Sequence, residues 1–298
     1  MGFVRQNRVL LASLAVAFVA VLAFATVWHL TERTSLAIPV AGDISDLTDP
    51  IDDGTATSTT PAAPAAPEPS KPKIATYIEV TDSCGPYWGG TCVNARSGPG
   101  TDYPAVLKLR KGIVLEVDPN PVTADGHDWY KIVFNEWIRY PDRLAGDLYV
   151  AGDYVRVFQS EAASDLPAGS HPSTNKRIVV DRSEQKLYAY EGDTLFMEEK
   201  VSTGLDLTPT PRGQFVIYRK SPTRYMQGPI PGISDQEYDL PGVPWDLYFT
   251  NEGGAIHGAY WHDHFGEQWS HGCVNLPLDS ARKLYEWADL GTPVTVHD

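Results

Sequence analysis

The chain has 298 residues, of which 42% are hydrophobic, and its formal net charge is −14 at pH 7. This length is sufficient for two ordinary domains with packed cores. The acidity argues against a nucleic-acid partner, because that binding depends on basic patches that meet phosphates, and the sequence has no Lys/Arg cluster interleaved with aromatic residues.

The N-terminus predicts a membrane helix. Arg5 and Arg8 precede an uncharged run from Val9 to Trp28, which is long enough to cross a bilayer of roughly 30 Å. The basic flank favours a cytoplasmic N-terminus, so the bulk of the chain is expected outside the cell membrane. We therefore interpret residues 1–30 as a signal anchor with a single transmembrane helix. The alternative is a signal peptide cleaved near Ala23-Phe24-Ala25, which would give a secreted chain.

Residues 31–75 predict a disordered stalk rich in Pro, Ala and Thr. The stretch TATSTTPAAPAAPEPSKP (55–72) has almost nothing to bury, so it cannot offset the entropy of its own ordering. A Pro-rich chain of this length extends to on the order of 100 Å. Such a stalk would hold the following domains away from a membrane and within a cell wall.

Residues 76–158 predict a small all-β unit. Four short runs are rich in β-branched and aromatic residues and are separated by Gly, Pro and Asp, namely TYIEV, VLKLRKG, IVLEV and WYKIVF. The segment VNARSGPGTDYPAVLKLRKG (93–112) resembles the bacterial SH3-like domain. That resemblance implies a small β-barrel that binds cell-wall peptide or positions a neighbouring domain. The unit departs from the family in its CGPYWGGTC loop and in a longer connection over 135–150.

The three cysteines fit an oxidising compartment. Cys84 and Cys92 lie close together in a Gly-rich loop and could close a small disulfide ring, which leaves Cys273 without a partner in the chain. An odd cysteine in an exported protein is either an intermolecular bridge or a free reactive thiol.

After a second predicted linker at 159–175, residues 176–298 predict a mostly β domain. RIVVD and RGQFVIYRK are typical of strands, and KLYAYEGDTLFMEEKV predicts a hairpin that turns at Glu191-Gly192-Asp193. The final run TPVTV predicts one more strand.

One short helix is predicted near the C-terminus, over LDSARKLYEWADLG (278–291). Asp279 is the expected N-cap and Gly291 the expected stop. The spacing of i, i+3, i+4 and i+7 gives this helix one buried face, formed by Ala281, Leu284, Tyr285 and Ala288.

The stretch WSHGCVNL (269–276) carries the candidate chemistry. A thiol attacks acyl carbon as a thiolate, so Cys273 needs a histidine or a cationic environment that lowers its pKa. His257, in GGAIHGAYW, is the better candidate base. His271 and Gly272 instead predict a sharp turn, whose backbone N–H groups can bind an oxyanion.

These segments together resemble the L,D-transpeptidase catalytic domain. The family pattern of His-Gly, a loop, and then Ser/Thr-x-Gly-Cys-hydrophobic-Arg/Asn is matched by His257-Gly258 and by SHGCVN (270–275). STGLDLTPTPRGQF (202–215) and VPWDLYFT (243–250) match upstream segments of the family in the same order. The resemblance covers 176–298 and implies a β-sandwich domain with a short helix.

The resemblance implies that Cys273 is the nucleophile and His257 the general base and acid. Cys273 would attack a peptidoglycan stem tetrapeptide, release D-Ala through a thioester, and transfer the acyl group to an amine to form 3→3 cross-links. Backbone N–H groups of His271, Gly272 and Cys273 would bind the oxyanion. No cofactor or metal is expected. The residues predicted to contact the substrate are Gly258, Tyr260, Ser270 and Asn275.

Other interpretations remain open on sequence alone. Water could resolve the thioester, giving an L,D-carboxypeptidase, or a protein lysine could replace the second stem. The chain could also be a non-catalytic wall-binding protein. Asp263 is the only carboxylate between His257 and Glu267 that could act as a third catalytic residue. A zinc site is disfavoured although His257, His262, His264 and His271 lie close to Cys273, since their spacing matches no known zinc motif.

Overall fold

The computed structural model describes residues 72–144, 146–170, 174–232 and 234–298, which belong to one compact unit. The predicted membrane helix and residues 31–71 of the predicted stalk lie outside this range. Within the described part of the chain, no helix is long and apolar enough to span a membrane.

The N-terminal half of the described chain contains eight strands. They are β1 (Ile74–Val80), β2 (Val93–Arg96), β3 (Ala105–Leu109), β4 (Val114–Val117), β5 (Val122–Ala124), β6 (His127–Lys131), β7 (Tyr149–Ala151) and β8 (Val155–Glu161). Their antiparallel pairing gives a three-stranded sheet of order β4-β1-β8 and a five-stranded sheet of order β3-β2-β7-β6-β5. This agrees with the predicted all-β unit, whereas the SH3-like assignment stays a prediction. Cys84 and Cys92 form a disulfide in the loop between β1 and β2.

The segment predicted as a second linker is partly built into the sheets. β8 continues to Glu161, and a short strand β9 (Ser164–Asp165) follows at once. The linker prediction for 159–175 is therefore wrong over its first residues. The sequence there is polar, but its backbone N–H and C=O groups gain partners along the edge of an existing sheet.

The C-terminal half contains nine strands and one α-helix. They are β10 (Lys176–Asp181), β11 (Lys186–Glu191), β12 (Thr194–Lys200), β13 (Gly213–Val216), β14 (Arg219–Gln227), β15 (Asp239–Tyr248), β16 (Ala255–Gly258), β17 (Val274–Leu276), α1 (Leu278–Trp287) and β18 (Pro293–His297). One sheet has the order β12-β11-β10-β18-β13, and the other has the order β17-β16-β15-β14-β9. The predicted hairpin at 191–193 and the final strand are confirmed.

The run RGQFVIYRK is two strands rather than the single strand predicted. β13 pairs with β18 in the first sheet, and β14 pairs with β15 in the second. The chain changes sheets between Ile217, whose N–H donates to the Thr292 carbonyl, and Tyr218, whose N–H donates to the Tyr248 carbonyl. An unbroken apolar pattern cannot reveal such a crossing.

Helix α1 buries the predicted face but has different ends. Ala281 and Leu284 are at most 1% exposed, and the backbone leaves the helix at Ala288, well before Gly291. Asp279 lies in the first turn, and Pro277 occupies the N-cap position without a side-chain hydrogen bond. The early end is stabilised by Lys220, whose ammonium donates to the carbonyls of Tyr285 and Ala288.

The faces of β15 separate the core from the candidate site. Trp245, Leu247 and Phe249 pack into the apolar core that both sheets share with α1. The alternate residues Tyr248 and Thr250 line a cleft on the opposite face. Because side chains alternate along a strand, Asp246 belongs to the cleft face as well.

Candidate active site

A row of polar residues crosses four strands beneath the cleft. Ser221 on β14 is paired with Asp246 on β15, and His257 on β16 is paired with Asn275 on β17. The antiparallel register of β15 and β16, continued by one residue from Leu247↔Ile256, places Asp246 opposite His257. Since neighbouring strands lie about 4.8 Å apart, the four side chains form a continuous line.

The imidazole of His257 is fully buried and held at both nitrogens. Nδ1 donates to the carbonyl oxygen of Gly258 at 3.1 Å, and Nε2 accepts from Nδ2 of Asn275 at 3.2 Å. Burial lowers the pKa of His257 and favours the neutral ring. A neutral, oriented imidazole is the form that a general base requires.

Asn275 is held in turn by a second histidine. Its Oδ1 accepts from Nε2 of His262 at 3.0 Å, and Nδ1 of His262 accepts from the backbone N–H of His264 at 3.2 Å. These donor and acceptor roles are mutually consistent and assign the tautomer of both histidines. The result is a directed hydrogen-bond chain that runs from His262 through Asn275 to His257.

Cys273 lies on a tight turn just before β17. Oγ of Ser270 donates to the Cys273 carbonyl at 2.5 Å and accepts the N–H of Gly272 at 3.2 Å. Oγ1 of Thr210 also donates to the Cys273 carbonyl, at 3.3 Å. Gly272 has a φ of 114°, a conformation that favours glycine. The half-buried, free thiol of Cys273 lines the cleft.

This turn corrects part of the predicted oxyanion site. The N–H of Gly272 is already engaged by Ser270, so Gly272 is not a free donor. The N–H groups of His271 and Cys273, in contrast, have no hydrogen-bond partner among the described residues. Those two remain available to an oxyanion.

The four residues predicted to contact substrate occupy different positions relative to the cleft. Ser270 and Asn275 border the cleft but are only 6% and 2% exposed, because their side chains are used inside the site. Tyr260 packs in an apolar cluster and donates to the Pro241 carbonyl at 2.7 Å, away from the cleft. At Gly258 an added Cβ would lie 3.0 Å from the ring of Pro244. Neither Tyr260 nor Gly258 lines the cleft, and their contact with substrate stays a prediction.

The histidine-rich loop after β16 is braced by its own aromatic rings and by the disulfide loop. His264 stacks on Trp269 with 3.9 Å between ring centroids. Asp263 is exposed and accepts from the Tyr87 hydroxyl at 3.0 Å, so it pairs with the disulfide loop instead of with His257. Among the residues that the structure describes, no three His, Cys, Asp or Glu side chains are grouped as a metal site.

The N-terminal half supplies one wall of the cleft, which has a volume of about 1370 Å³. Oε2 of Glu136 accepts the N–H of Tyr225 at 2.7 Å, and burial raises the pKa of Glu136 to about 7. Beside it, the Trp137 ring is 71% exposed and lines the cleft. Arg143 donates to the Gly228 carbonyl at 2.9 Å and fixes the same segment. The longer connection noted at 135–150 thus reaches the catalytic half.

A family comparison decides the identity of the second half. Residues 175–296 match the model of the L,D-transpeptidase catalytic domain, called YkuD. These residues are an L,D-transpeptidase catalytic domain. The predicted recognition of this family is confirmed.

Known proteins of this name are similar to the chain at modest identity. The Bacillus licheniformis protein named L,D-transpeptidase YkuD is 27% identical over 135 residues, which cover 44% of this chain and 72% of that protein. L,D-transpeptidase 3 of Mycobacterium tuberculosis is 26% identical over 202 residues, which cover 62% of this chain and 72% of that protein. A solved L,D-transpeptidase from Mycobacterium smegmatis is 21% identical. The match covers 61% of this chain and 97% of that structure's chain, with a TM-score of 0.40.

Sequence reasoning missed three polar residues of this transpeptidase site. Glu136 belongs to the other half of the chain, and no local signal connects it with Cys273. The HDH stretch indicated a role for His262, but the sequence suggested only a metal ligand there. Asp246 had a signal too, because a charged residue inside the apolar run VPWDLYFT needs a reason to be there.

Proposed function

We propose that the protein is a peptidoglycan L,D-transpeptidase with Cys273 as nucleophile and His257 as general base and acid. The observation that supports this most directly is the buried, neutral His257 on the strand next to the turn that carries Cys273. The matched catalytic domain, and similar proteins that carry the name L,D-transpeptidase, support the same reaction.

The chemistry follows from the groups at the site. The thiol proton of Cys273 moves to Nε2 of His257 and replaces the 3.2 Å hydrogen bond from Asn275. The thiolate attacks the carbonyl carbon of the L-to-D amide of a stem tetrapeptide. N–H groups of Cys273 and His271 stabilise the oxyanion. His257 returns the proton to the departing D-Ala amine, and a thioester remains.

The second half of the reaction uses the same two side chains. An amine from a neighbouring stem attacks the thioester carbonyl and loses a proton to His257, which passes it to the departing sulfur of Cys273. The products are a 3→3 cross-linked stem dimer and the free thiol. Base assistance of this kind contributes about 10²–10⁴-fold to the rate.

Export and anchoring belong to the same proposal. Residues 1–30 would place the catalytic domain outside the membrane on a stalk, where peptidoglycan is found. The apolar run from Val9 to Trp28 and the disulfide between Cys84 and Cys92 support an extracytoplasmic location. We assign the N-terminal β unit the role of an SH3-like module that positions the catalytic half on the wall.

The test uses the full chain with purified disaccharide-tetrapeptide and mass spectrometry. The expected product is a stem dimer that has lost one D-Ala, absent with Cys273→Ala and His257→Ala. His297→Ala, at an exposed histidine of β18, is the matched control and should retain activity.

Other products would redirect the assignment. Tripeptide without dimer would make the protein an L,D-carboxypeptidase, and transfer to an added protein lysine would make it a wall-attachment enzyme. Unchanged tetrapeptide without an acyl adduct on Cys273 would refute acyl transfer and leave a wall-binding protein.

A further inference from the structure

Asp246 carries a buried carboxyl group that has no role in the proposed reaction as described so far. The residue is 0% exposed, and neither of its oxygens has a hydrogen-bond partner among the described residues. An unpartnered carboxyl in the interior destabilises a fold, and an apolar residue would satisfy the packing of β15 better. Its presence at this position therefore calls for a functional reason.

The pairing of β15 with β16 indicates that the imidazole of His257 is the catalytic group nearest to Asp246. Continued by one residue from Leu247↔Ile256, the antiparallel register places Asp246 opposite His257 on the adjacent strand, and the two groups interact electrostatically. Directly opposite residues of antiparallel strands have Cβ atoms about 5 Å apart. Both hydrogen-bonding nitrogens of His257 are already occupied, so the carboxyl acts on the imidazole through space.

The surrounding charges act on Asp246 and His257 in both directions, but these two groups stabilise each other. The ionisable groups near Asp246 are His257, Arg224, Cys273, Glu136, Tyr248 and Tyr285. Burial raises the pKa of Asp246 to about 7, and His257 opposes that rise more than Arg224 does. In return, the carboxylate opposes the lowering of the His257 pKa by burial. Each group thus favours the charged form of the other.

We propose that Asp246 is a positioning residue that stabilises the protonated form of His257 while Cys273 is a thiolate. This rests on the proposed function, in which the Cys273 proton moves to His257. A desolvated pair of imidazolium and thiolate is costly unless further interactions stabilise its charges, and a carboxylate near the ring stabilises the imidazolium. Asp246 supplies that carboxylate from below the cleft without touching the substrate.

The test measures the thiolate directly and needs no peptidoglycan. In the full chain, iodoacetamide alkylates Cys273 selectively, since Cys84 and Cys92 are joined in a disulfide. The alkylation rate is followed by mass spectrometry from pH 5 to pH 10 for the wild type, Asp246→Asn and Asp246→Val. Ser221→Ala, on the other side of Asp246 in the same row, is the matched control.

We expect both Asp246 variants to move the midpoint of alkylation upward by about one pH unit or more. The rate at pH 7 should fall about tenfold, because one unit changes the thiolate fraction by that factor. Ser221→Ala should keep the wild-type midpoint. The melting temperature of Asp246→Asn should be unchanged or higher, which a merely structural carboxyl would not allow.

Two results would overturn the proposal. One is an Asp246→Asn variant, with Asp246→Val in agreement, whose alkylation midpoint equals that of the wild type. The other is a midpoint that moves equally in Ser221→Ala. Both readings are independent of turnover, so a wild type that fails to cross-link stems would refute the proposed function and leave this test intact.

Discussion

Replacement of Ser270 by alanine tests whether the turn at Cys273 is held as the structure shows. The change removes a 2.5 Å hydrogen bond to the Cys273 carbonyl and a 3.2 Å hydrogen bond from the Gly272 N–H. Thr210 still donates to the Cys273 carbonyl, so the N–H of Gly272 is the group left without a partner. Loss of one such partner costs about 1–3 kcal/mol.

That cost translates into rate because the same turn carries the thiol and the two free N–H groups. Each 1.36 kcal/mol of lost transition-state stabilisation is about tenfold in rate, so Ser270→Ala should lower kcat/KM about 10–100-fold. Dimer formation from disaccharide-tetrapeptide, followed by mass spectrometry, gives the value. Ser270→Thr restores the hydroxyl and should recover most of the activity. Ser270→Ala activity within twofold of the wild type would refute this account of the turn.

Three further predictions concern orientation, packing and pH. Asn275→Ala releases His257 from one of its two hydrogen bonds and should lower kcat about 10–100-fold with little change in KM; steady-state kinetics would contradict this if KM alone changed. Leu284→Ala opens a cavity under α1 and should lower the free energy of unfolding by about 2–5 kcal/mol in urea titrations, and a loss below about 1 kcal/mol would mean that the helix is not packed as described. Burial raises the pKa of Glu136 from 4.5 to about 7. Between these two pH values the folded state binds more protons than the unfolded state. The free energy of unfolding should therefore fall by about 3 kcal/mol as the pH rises from 4.5 to 7. Glu136→Gln should remove this part of the fall when urea titrations at pH 5 and pH 8 are compared, and an undiminished fall would exclude Glu136 as its source.

The sequence predicted well what depends on local pattern. The 3.6-residue period predicted the buried face of α1, and the paired motifs predicted the family that matches residues 175–296. The catalytic roles of Cys273 and His257 stay predictions. The parts of the structure that were not predicted share one cause. A sequence pattern typical of a strand does not indicate which other strand it pairs with. Tyr260 follows His257 closely in sequence, yet it lies beyond the end of β16 and packs in an apolar cluster that does not line the cleft.

Pairing register explains the residues that were missed. Asp246 meets His257 only because β15 and β16 pair in one register, and a shift by one residue would turn Asp246 to the other face. Glu136 reaches the cleft through a connection more than one hundred residues before Cys273. Contacts of this kind follow from tertiary structure, which local propensity does not encode.

The part of the cleft wall formed by residues 135–139 has an evolutionary consequence. A connecting loop tolerates insertion and substitution better than a strand, and this one borders the cleft without carrying the nucleophile or its base. Substrate preference can therefore diverge by changes at Glu136 or Trp137 while SHGCVN stays intact. Two enzymes of this architecture with identical catalytic motifs can then act on different stems, and comparison of their motifs alone would not distinguish them.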